Sequence, residues 1–335
     1  MNIPGKFLPV PHSLRMLGTS LLLLAALTGC DSLKRFSGPQ TAFSGDSALA
    51  YVRTQLQFGP RVPGTDGHRR TGDWITAQMR SRADSVEVQA WKHVTEKGDT
   101  LPLRNIIARF RPAATQRVLY VTHWDTRPTA DQDRNLGAKQ RPFPGANDGA
   151  SGVALFIALA DALKKSSLPP NVGLDLLFVD GEDYGEFGTW GDTTQNRDVL
   201  IGSQYFANHL PAGYKPMFGV LWDMIGDKSL QIYQETNSVE AAPEVVARVW
   251  GVAKDLGYAK YFIPEVHGGI TDDHLPLISK GLRVIDVLDI DYCTEGTDCA
   301  QDERNLHHTM QDNIEHVSAQ SLQVVGDVAL TLVTK

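Results

Sequence analysis

The chain has 335 residues, of which 42% are hydrophobic, 8% aromatic and 21% charged, and 32 Lys and Arg residues against 39 Asp and Glu residues give a formal net charge of −7. This composition is that of a globular protein, and the ordinary usage of 30 Gly and 18 Pro excludes collagen-like and low-complexity chains. The acidic balance also argues against a basic surface that binds nucleic acid.

The N-terminus has the pattern of a bacterial lipoprotein signal. Lys6 and Arg15 precede an apolar run over 17–27, and small residues follow it before Cys30. The run is shorter than the roughly 20 residues of a comfortable membrane span, so we expect cleavage before Cys30 and removal of residues 1–29 as a signal peptide. An uncleaved N-terminal anchor is the alternative. Either one predicts a location in the bacterial cell envelope, outside the cytoplasm.

The segment after the signal predicts how the protein is attached. Residues 30–44 are polar with Gly, Ser and Pro, which is typical of a tether, and residues 45–335 form the predicted folded domain. A lipid on Cys30 would then hold the protein at a membrane. The remaining cysteines, Cys293 and Cys299, lie in one short stretch, and an oxidising compartment favours a disulfide between them. Two free thiols are the alternative.

The folded part begins with two predicted helices, one from Ala48 to Phe58 and one that contains Trp74 and Met79. Residues 85–111 are predicted to form strands. Further along, short apolar runs alternate with amphipathic segments: strands over 118–122, 174–179, 218–222 and 284–288, and helices over 150–165, 199–209, 241–256 and 318–333. This order predicts a single α/β domain with a central mixed, mostly parallel β-sheet and helices on both faces.

Polar residues follow three of the predicted strands directly: His123 and Asp125, then Asp180 to Asp183, then Asp223. Because the carboxyl ends of parallel strands share one edge of a sheet, these side chains are expected to meet in one crevice. The residues Asp148, Asp272, Asp273, His274, His307 and His308 add further carboxylates and imidazoles. Clustered carboxylates resist ionisation unless a cation lies among them, and Asp, Glu and His together suit zinc.

Taken singly, these residues also fit ordinary structural roles. Asp148 fits a helix cap, Asp180 and Asp183 fit turns, and His308 fits a surface histidine. No tight zinc motif such as His-Glu-x-x-His is present. Residue types and spacing therefore predict a metallohydrolase-like site and nothing more specific.

Three motifs add a family resemblance. Residues 122–128 (THWDTRP), 145–152 (GANDGASG) and 180–185 (DGEDYG) are similar to the zinc-dependent aminopeptidase superfamily. Within that superfamily the chain most resembles the animal-type glutaminyl-peptide cyclotransferases and their bacterial relatives. The supporting segments are 202–207, 223–227, 271–274 and 308–313.

The resemblance implies roles for individual residues. Asp148, Asp183 and His308 would bind one Zn²⁺, and Glu182 would be the general acid and base. Asp223 and Asp272 would complete an acidic hydrogen-bond network, and Trp190, Thr271 and His307 would lie at the substrate pocket. The chain departs from the family in two places, because Asp183 stands where Glu is common and His307 where Trp is common.

The implied reaction is cyclisation of the N-terminal Gln of a peptide or protein to pyroglutamate, with release of ammonia. A di-zinc aminopeptidase is the alternative: His123, Asp148, Asp183, Asp223 and His308 would hold two ions, and Glu182 would activate water. A third hypothesis is that the same fold serves as a binding module without catalytic activity.

Overall fold

A six-stranded sheet lies at the centre of the part of the chain that the computed structural model describes, residues 41–187, 198–293 and 305–335. The strands are β1 (Ser85–Val94), β2 (Thr100–Phe110), β3 (Gln116–His123), β4 (Val172–Val179), β5 (Phe218–Asp223), β6 (Ile232–Glu235), β7 (Phe262–His267) and β8 (Val284–Leu288). The helices are α1 (Gly45–Leu56), α2 (Asp66–Arg80), α3 (Ala150–Ala162), α4 (Ile201–Asn208), α5 (Thr236–Ala241), α6 (Pro243–Asp255), α7 (His274–Ile278) and α8 (Ala319–Thr334).

The strand order in the central sheet is β1-β2-β4-β3-β5-β8. β1 and β2 pair antiparallel, as do β2 and β4, whereas β4, β3, β5 and β8 run parallel. The predicted mixed, mostly parallel sheet is therefore confirmed. In the register, His123 lies beside Val179 and Asp223 beside Leu288, so the polar ends of three strands reach the same edge.

The sheet buries both faces because its strands are apolar at successive positions. Alternate residues point to opposite sides, so in β3 Val118 and Tyr120 belong to one apolar cluster while Leu119 and Val121 belong to another. The larger cluster lies under α1, α2, α3, α6 and α8, and the smaller one under α4 and α7. Helices on both faces, as predicted, leave the carboxyl edge of the parallel strands as the place for a site.

The helices follow their sequence signals. Ser44, Thr65 and Ser318 cap α1, α2 and α8 with their side-chain oxygens. α3 is apolar on nearly every side and is buried along almost its whole length between α1, α8 and the sheet. None of the described helices is long and apolar enough to span a membrane.

The four core strands lie where the sequence predicts them, and the four later helices match within a few residues. The helix predicted over 241–256 corresponds to α6, and the short helix α5 before it was not predicted. α5 ends at Ala241 and α6 begins at Pro243, since a proline has no N–H to continue a helix but fits its first position. The short parallel pair β6 and β7 was not expected. Residues 1–40, with the signal and Cys30, lie outside the described residues.

Candidate metal centre and active site

One cavity of about 590 Å³ opens at the carboxyl edge of the parallel strands. It is lined by most of the residues that the sequence singles out, namely Asp148, Glu182, Asp183, Asp223, Thr271, Asp272, His307 and His308. His123 is buried behind them. The crevice predicted from the strand ends is thus present, and it brings these side chains together.

The predicted ligands Asp148, Asp183 and His308 meet at the wall of this cavity. His308 Nε2 lies 3.2 Å from Asp183 Oδ1 and 3.6 Å from Asp148 Oδ2. Asp148 Oδ2 and Asp183 Oδ2 are buried, and neither has a hydrogen-bond partner among the described residues. Buried carboxylate oxygens without donors beside an imidazole nitrogen fit a divalent cation, and this mixed oxygen and nitrogen set suits zinc.

A second group shares Asp148. His123 Nε2 lies 3.0 Å from Asp148 Oδ1 and 3.1 Å from Asp223 Oδ1, and one ligand atom from each of the three residues falls within 4.8 Å of the others. His307 also approaches Asp148, with its Nε2 3.8 Å from Asp148 Oδ2. The cavity wall therefore has donors for a second ion as well as for a first.

Glu182 is held next to this donor set by Asp125. The backbone N–H groups of Glu182 and Asp183 donate to the two oxygens of Asp125, over 3.1 and 3.2 Å. Glu182 Oε2 lies 3.5 Å from His123 Nδ1. Burial raises the pKa of Glu182 well above its usual range, and the nearby carboxylates add to the effect although His123 opposes it. The sequence predicts Asp125 only as part of the strand-end cluster, and its role here is to orient Glu182 and Asp183 in the loop after β4.

Asp272 belongs to a buried acidic chain that extends away from the cavity. Its carboxyl group accepts from the Asp273 N–H over 2.5 Å. The carboxyl group of Asp286 in β8 is buried near it and has no hydrogen-bond partner among the described residues. Burial raises the pKa of both Asp272 and Asp286 well above the usual range, and neighbouring carboxylates raise them further. Burial and mutual repulsion therefore favour the protonated form of these two carboxyl groups. Asp286 could not be predicted as a member of this chain, because it lies within an otherwise apolar strand.

The loop that carries Asp148 is held in place by Arg61 and Asp312, neither of which is among the residues predicted for the site. The buried Arg61 guanidinium donates to the carbonyls of Trp124, Pro144, Gly145 and Asp148 over 2.7 to 3.1 Å. Asp312 accepts from the N–H groups of Asn147 and Asp148, and burial raises its pKa to about 7.

The helix-cap alternative for Asp148 is wrong. The N-cap of α3 is Gly149, with no side-chain cap hydrogen bond, and the Asp148 carboxylate points to the histidines instead. Gly149 makes that contact possible, because a Cβ there would lie 2.3 Å from His123 Nε2. His308 is buried, so the surface alternative also fails. Asp180 has a structural role: it accepts from the Arg104 N–H and lies 2.8 Å from His68 Nε2.

Three predicted residues have no described position. Trp190, Cys299 and Cys30 lie outside the described ranges. Cys293 is disulfide-bonded. Of the predicted pocket residues, Thr271 and His307 do line the cavity. Burial and the charge of His308 lower the pKa of His307 to about 3, which leaves a neutral imidazole at the wall.

Known proteins with this fold include both glutaminyl cyclases and exopeptidases. A glutaminyl cyclase from Porphyromonas gingivalis of known crystal structure is 39% identical with a TM-score of 0.78, over 88% of this chain and 98% of that one. A Zn-dependent exopeptidase from Parabacteroides distasonis is 34% identical with the same TM-score, over 88% and 98%. The glutaminyl-peptide cyclotransferase of Bos taurus is 26% identical over 77% of this chain and 76% of that protein. The model of peptidase family M28 matches residues 105–333, more than half of the chain, and this protein therefore belongs to peptidase family M28.

Proposed function

We propose that this protein is a zinc-dependent glutaminyl-peptide cyclotransferase, which converts the N-terminal Gln of peptides or proteins to pyroglutamate. One observation carries the proposal: a single cavity holds both the donor set Asp148, Asp183 and His308 and the carboxyl groups of Glu182, Asp223 and Asp272. The similarity to glutaminyl cyclases over nearly the whole length of their chains supports the same activity.

Asp148, Asp183 and His308 would hold the ion. Zinc bound there would supply a Lewis acid that polarises the side-chain amide of the substrate Gln and offsets the negative charge on its oxygen. The three ligand residues are themselves buried in the cavity wall. Since the amine and the amide belong to one residue, the protein has chiefly to hold the folded-back side chain.

Glu182 would move the proton. The α-amine nitrogen attacks the side-chain amide carbon, one C–N bond forms, and the bond from that carbon to the amide nitrogen breaks. Glu182 accepts the proton that the amine loses and donates a proton to the departing nitrogen, which leaves as ammonia. The backbone anchor at Asp125 keeps the Glu182 carboxyl group at the cavity. Asp223 and Asp272, which line the same wall, would hold the amine of the substrate by hydrogen bonds.

Substitution of Glu182 tests this assignment. We expect Glu182→Gln to lower kcat for ammonia release from a Gln peptide by about 10² to 10⁴-fold, the usual contribution of a general base, while zinc content stays at the wild-type level. Glu265→Gln, at an exposed position of β7, is the matched control and should keep wild-type kcat. A Glu182→Gln variant with the wild-type rate would remove Glu182 from the mechanism.

A di-zinc aminopeptidase is the second candidate, and the group His123, Asp148 and Asp223 favours it. In that case Asp148 would lie between two ions, and Glu182 would take a proton from water. Metal analysis separates the candidates: one zinc per chain supports the cyclotransferase, and two support the aminopeptidase. His123→Ala should lower the zinc content by one only in the second case.

The place of the protein in the cell is a further part of the proposal. The N-terminal pattern supports a lipid on Cys30 and a location in the cell envelope. Labelling with a radioactive fatty acid should mark the wild-type chain and not Cys30→Ala. An unlabelled wild-type chain would argue against lipidation.

A further inference from the structure

We propose that Arg127 and Asp131 form a clamp that presets the zinc ligands Asp183 and His308. The clamp is the pair of side chains Arg127 and Asp131 together with their contacts to these two ligands. It is a positioning device, since it acts on the ion only through the ligands.

The contacts close into a ring. Arg127 Nη1 donates to Asp183 Oδ1 over 3.2 Å, and Arg127 Nη2 lies 3.1 Å from Asp131 Oδ2. The other oxygen of Asp131, Oδ1, lies 3.2 Å from His308 Nδ1. His308 Nε2 then returns to Asp183 Oδ1 at 3.2 Å. Arg127 therefore contacts Asp183, and Asp131 contacts His308.

The clamp contacts one polar atom of each ligand, Asp183 Oδ1 and His308 Nδ1, and makes no contact with the other polar atom of the same side chain. Asp183 Oδ1 accepts from Arg127, whereas Asp183 Oδ2 is buried without a hydrogen-bond partner in the described part of the chain. His308 Nδ1 faces Asp131, a carboxylate that can only accept, so this nitrogen carries the hydrogen and Nε2 offers its lone pair. Gln132 Nε2 lies farther from the same Nδ1, at 3.4 Å. A carboxylate behind a ligating imidazole is the usual way in which a protein fixes tautomer and ring orientation.

The pair is also balanced in charge. The positive charge of Arg127 is offset by Asp131, so the two together add little net charge beside the ion. Arg127 is largely buried, with 10% of its side chain exposed, whereas Asp131 is 41% exposed. A short side chain such as Asp183 has few rotamers, and a fixed donor on Oδ1, the oxygen that also faces His308 Nε2, favours one of them.

Zinc affinity tests the clamp, with a readout that does not depend on activity. The zinc Kd is measured by competition with a chromogenic chelator for the wild type, Arg127→Met, Asp131→Asn and the double variant, and the melting temperature of each metal-free protein is recorded. We expect each single variant to raise Kd by about 10 to 100-fold, as loss of such outer partners commonly does. Arg127 and Asp131 act through one chain of contacts. The double variant should therefore bind zinc no more weakly than the single variant with the higher Kd.

The sign of the Arg127→Met effect is decisive. If Arg127 acted only through its charge, its removal would strengthen the binding of a cation, so a lower Kd would overturn the clamp. The matched controls are Arg82→Met and Asp161→Asn, an ion pair of similar exposure, 13% and 34%, that joins the turn after α2 to α3. They should leave the zinc Kd unchanged even if they lower the melting temperature.

The inference depends on the proposed ligand set and not on the reaction. Wild-type protein that binds no zinc would overturn the ligand set, and the clamp with it. Bound zinc with an unchanged Kd in Asp131→Asn would overturn the clamp alone. If Arg127→Met does not fold, Asp131→Asn, at the more exposed of the two positions, decides the question by itself.

Discussion

Arg61 shows how one buried side chain positions a site that it does not enter. Its guanidinium satisfies four backbone carbonyls, two of them at Gly145 and Asp148, and so ties the loop before α3 to the end of β3. Burial lowers the pKa of Arg61 to about 10, against the opposing pull of nearby carboxylates, so the group stays charged at neutral pH. The position of Asp148 therefore depends on a residue nearly ninety positions earlier in the chain.

The corresponding prediction is a loss of stability. Arg61→Met should lower the free energy of unfolding by at least about 3 kcal/mol, because it leaves buried carbonyls without donors. Urea unfolding of the metal-free protein measures this. Arg69→Met, with 64% of its side chain exposed, should change the same quantity by no more than about 0.5 kcal/mol. Equal effects of the two substitutions would show that Arg61 does not hold the loop.

At the scale of elements, the close approach of α3 to the sheet determines where Asp148 lies. A Cβ on Gly152 would lie 2.0 Å from Thr122 Oγ1 and 2.6 Å from the Trp222 carbonyl oxygen, so glycine is what lets the first turn of the helix touch β3 and β5. Asn147 strengthens the junction, since its side chain accepts from Gly226 N–H and donates to the Met224 carbonyl. The helix start and two strand ends thus form one rigid unit.

Two glycine substitutions with opposite outcomes test this packing. Gly152→Ala should destabilise the protein by about 1–3 kcal/mol, as overpacking of a tight core contact does. Gly251→Ala in α6, where a Cβ would meet no atom within 4 Å, should instead stabilise it by about 0.4–1 kcal/mol. The measurement is the free energy of unfolding in denaturant. A Gly152→Ala variant as stable as the wild type would show that α3 can move away from the sheet at little cost.

For the whole molecule, we expect the described core to fold without a metal ion. The two large apolar clusters on the faces of the sheet include none of the donor residues at its edge. The ion would therefore add stability to a fold that already exists, in proportion to its affinity.

Removal of zinc should thus lower the melting temperature and abolish turnover while the far-ultraviolet circular dichroism stays native-like. Readdition of zinc should restore both properties. Loss of secondary structure on chelation would contradict the view that the fold is complete without the ion.

The sequence predicts the strands and their common edge better than the buried polar residues that position the site. The strands around Val118, Leu174, Phe218 and Val284 are short apolar runs that end in polar residues, so both their type and their common edge could be predicted. Arg61, Asp286 and Asp312 could not, because each acts across a long sequence separation and only folding shows which carbonyls or carboxyls it meets. The pair β6 and β7, of which only β7 is largely exposed, lacks a regular apolar pattern and was missed for that reason.

The choice between cyclisation and hydrolysis is tested most directly by two matched peptides, one beginning with Gln and one with Leu, incubated with the zinc-loaded protein and analysed by mass spectrometry. We expect that only the Gln peptide reacts, that it loses the mass of one ammonia, and that a zinc chelator prevents the change. Release of whole residues from the N-terminus of the Leu peptide would contradict the cyclotransferase assignment and support the aminopeptidase.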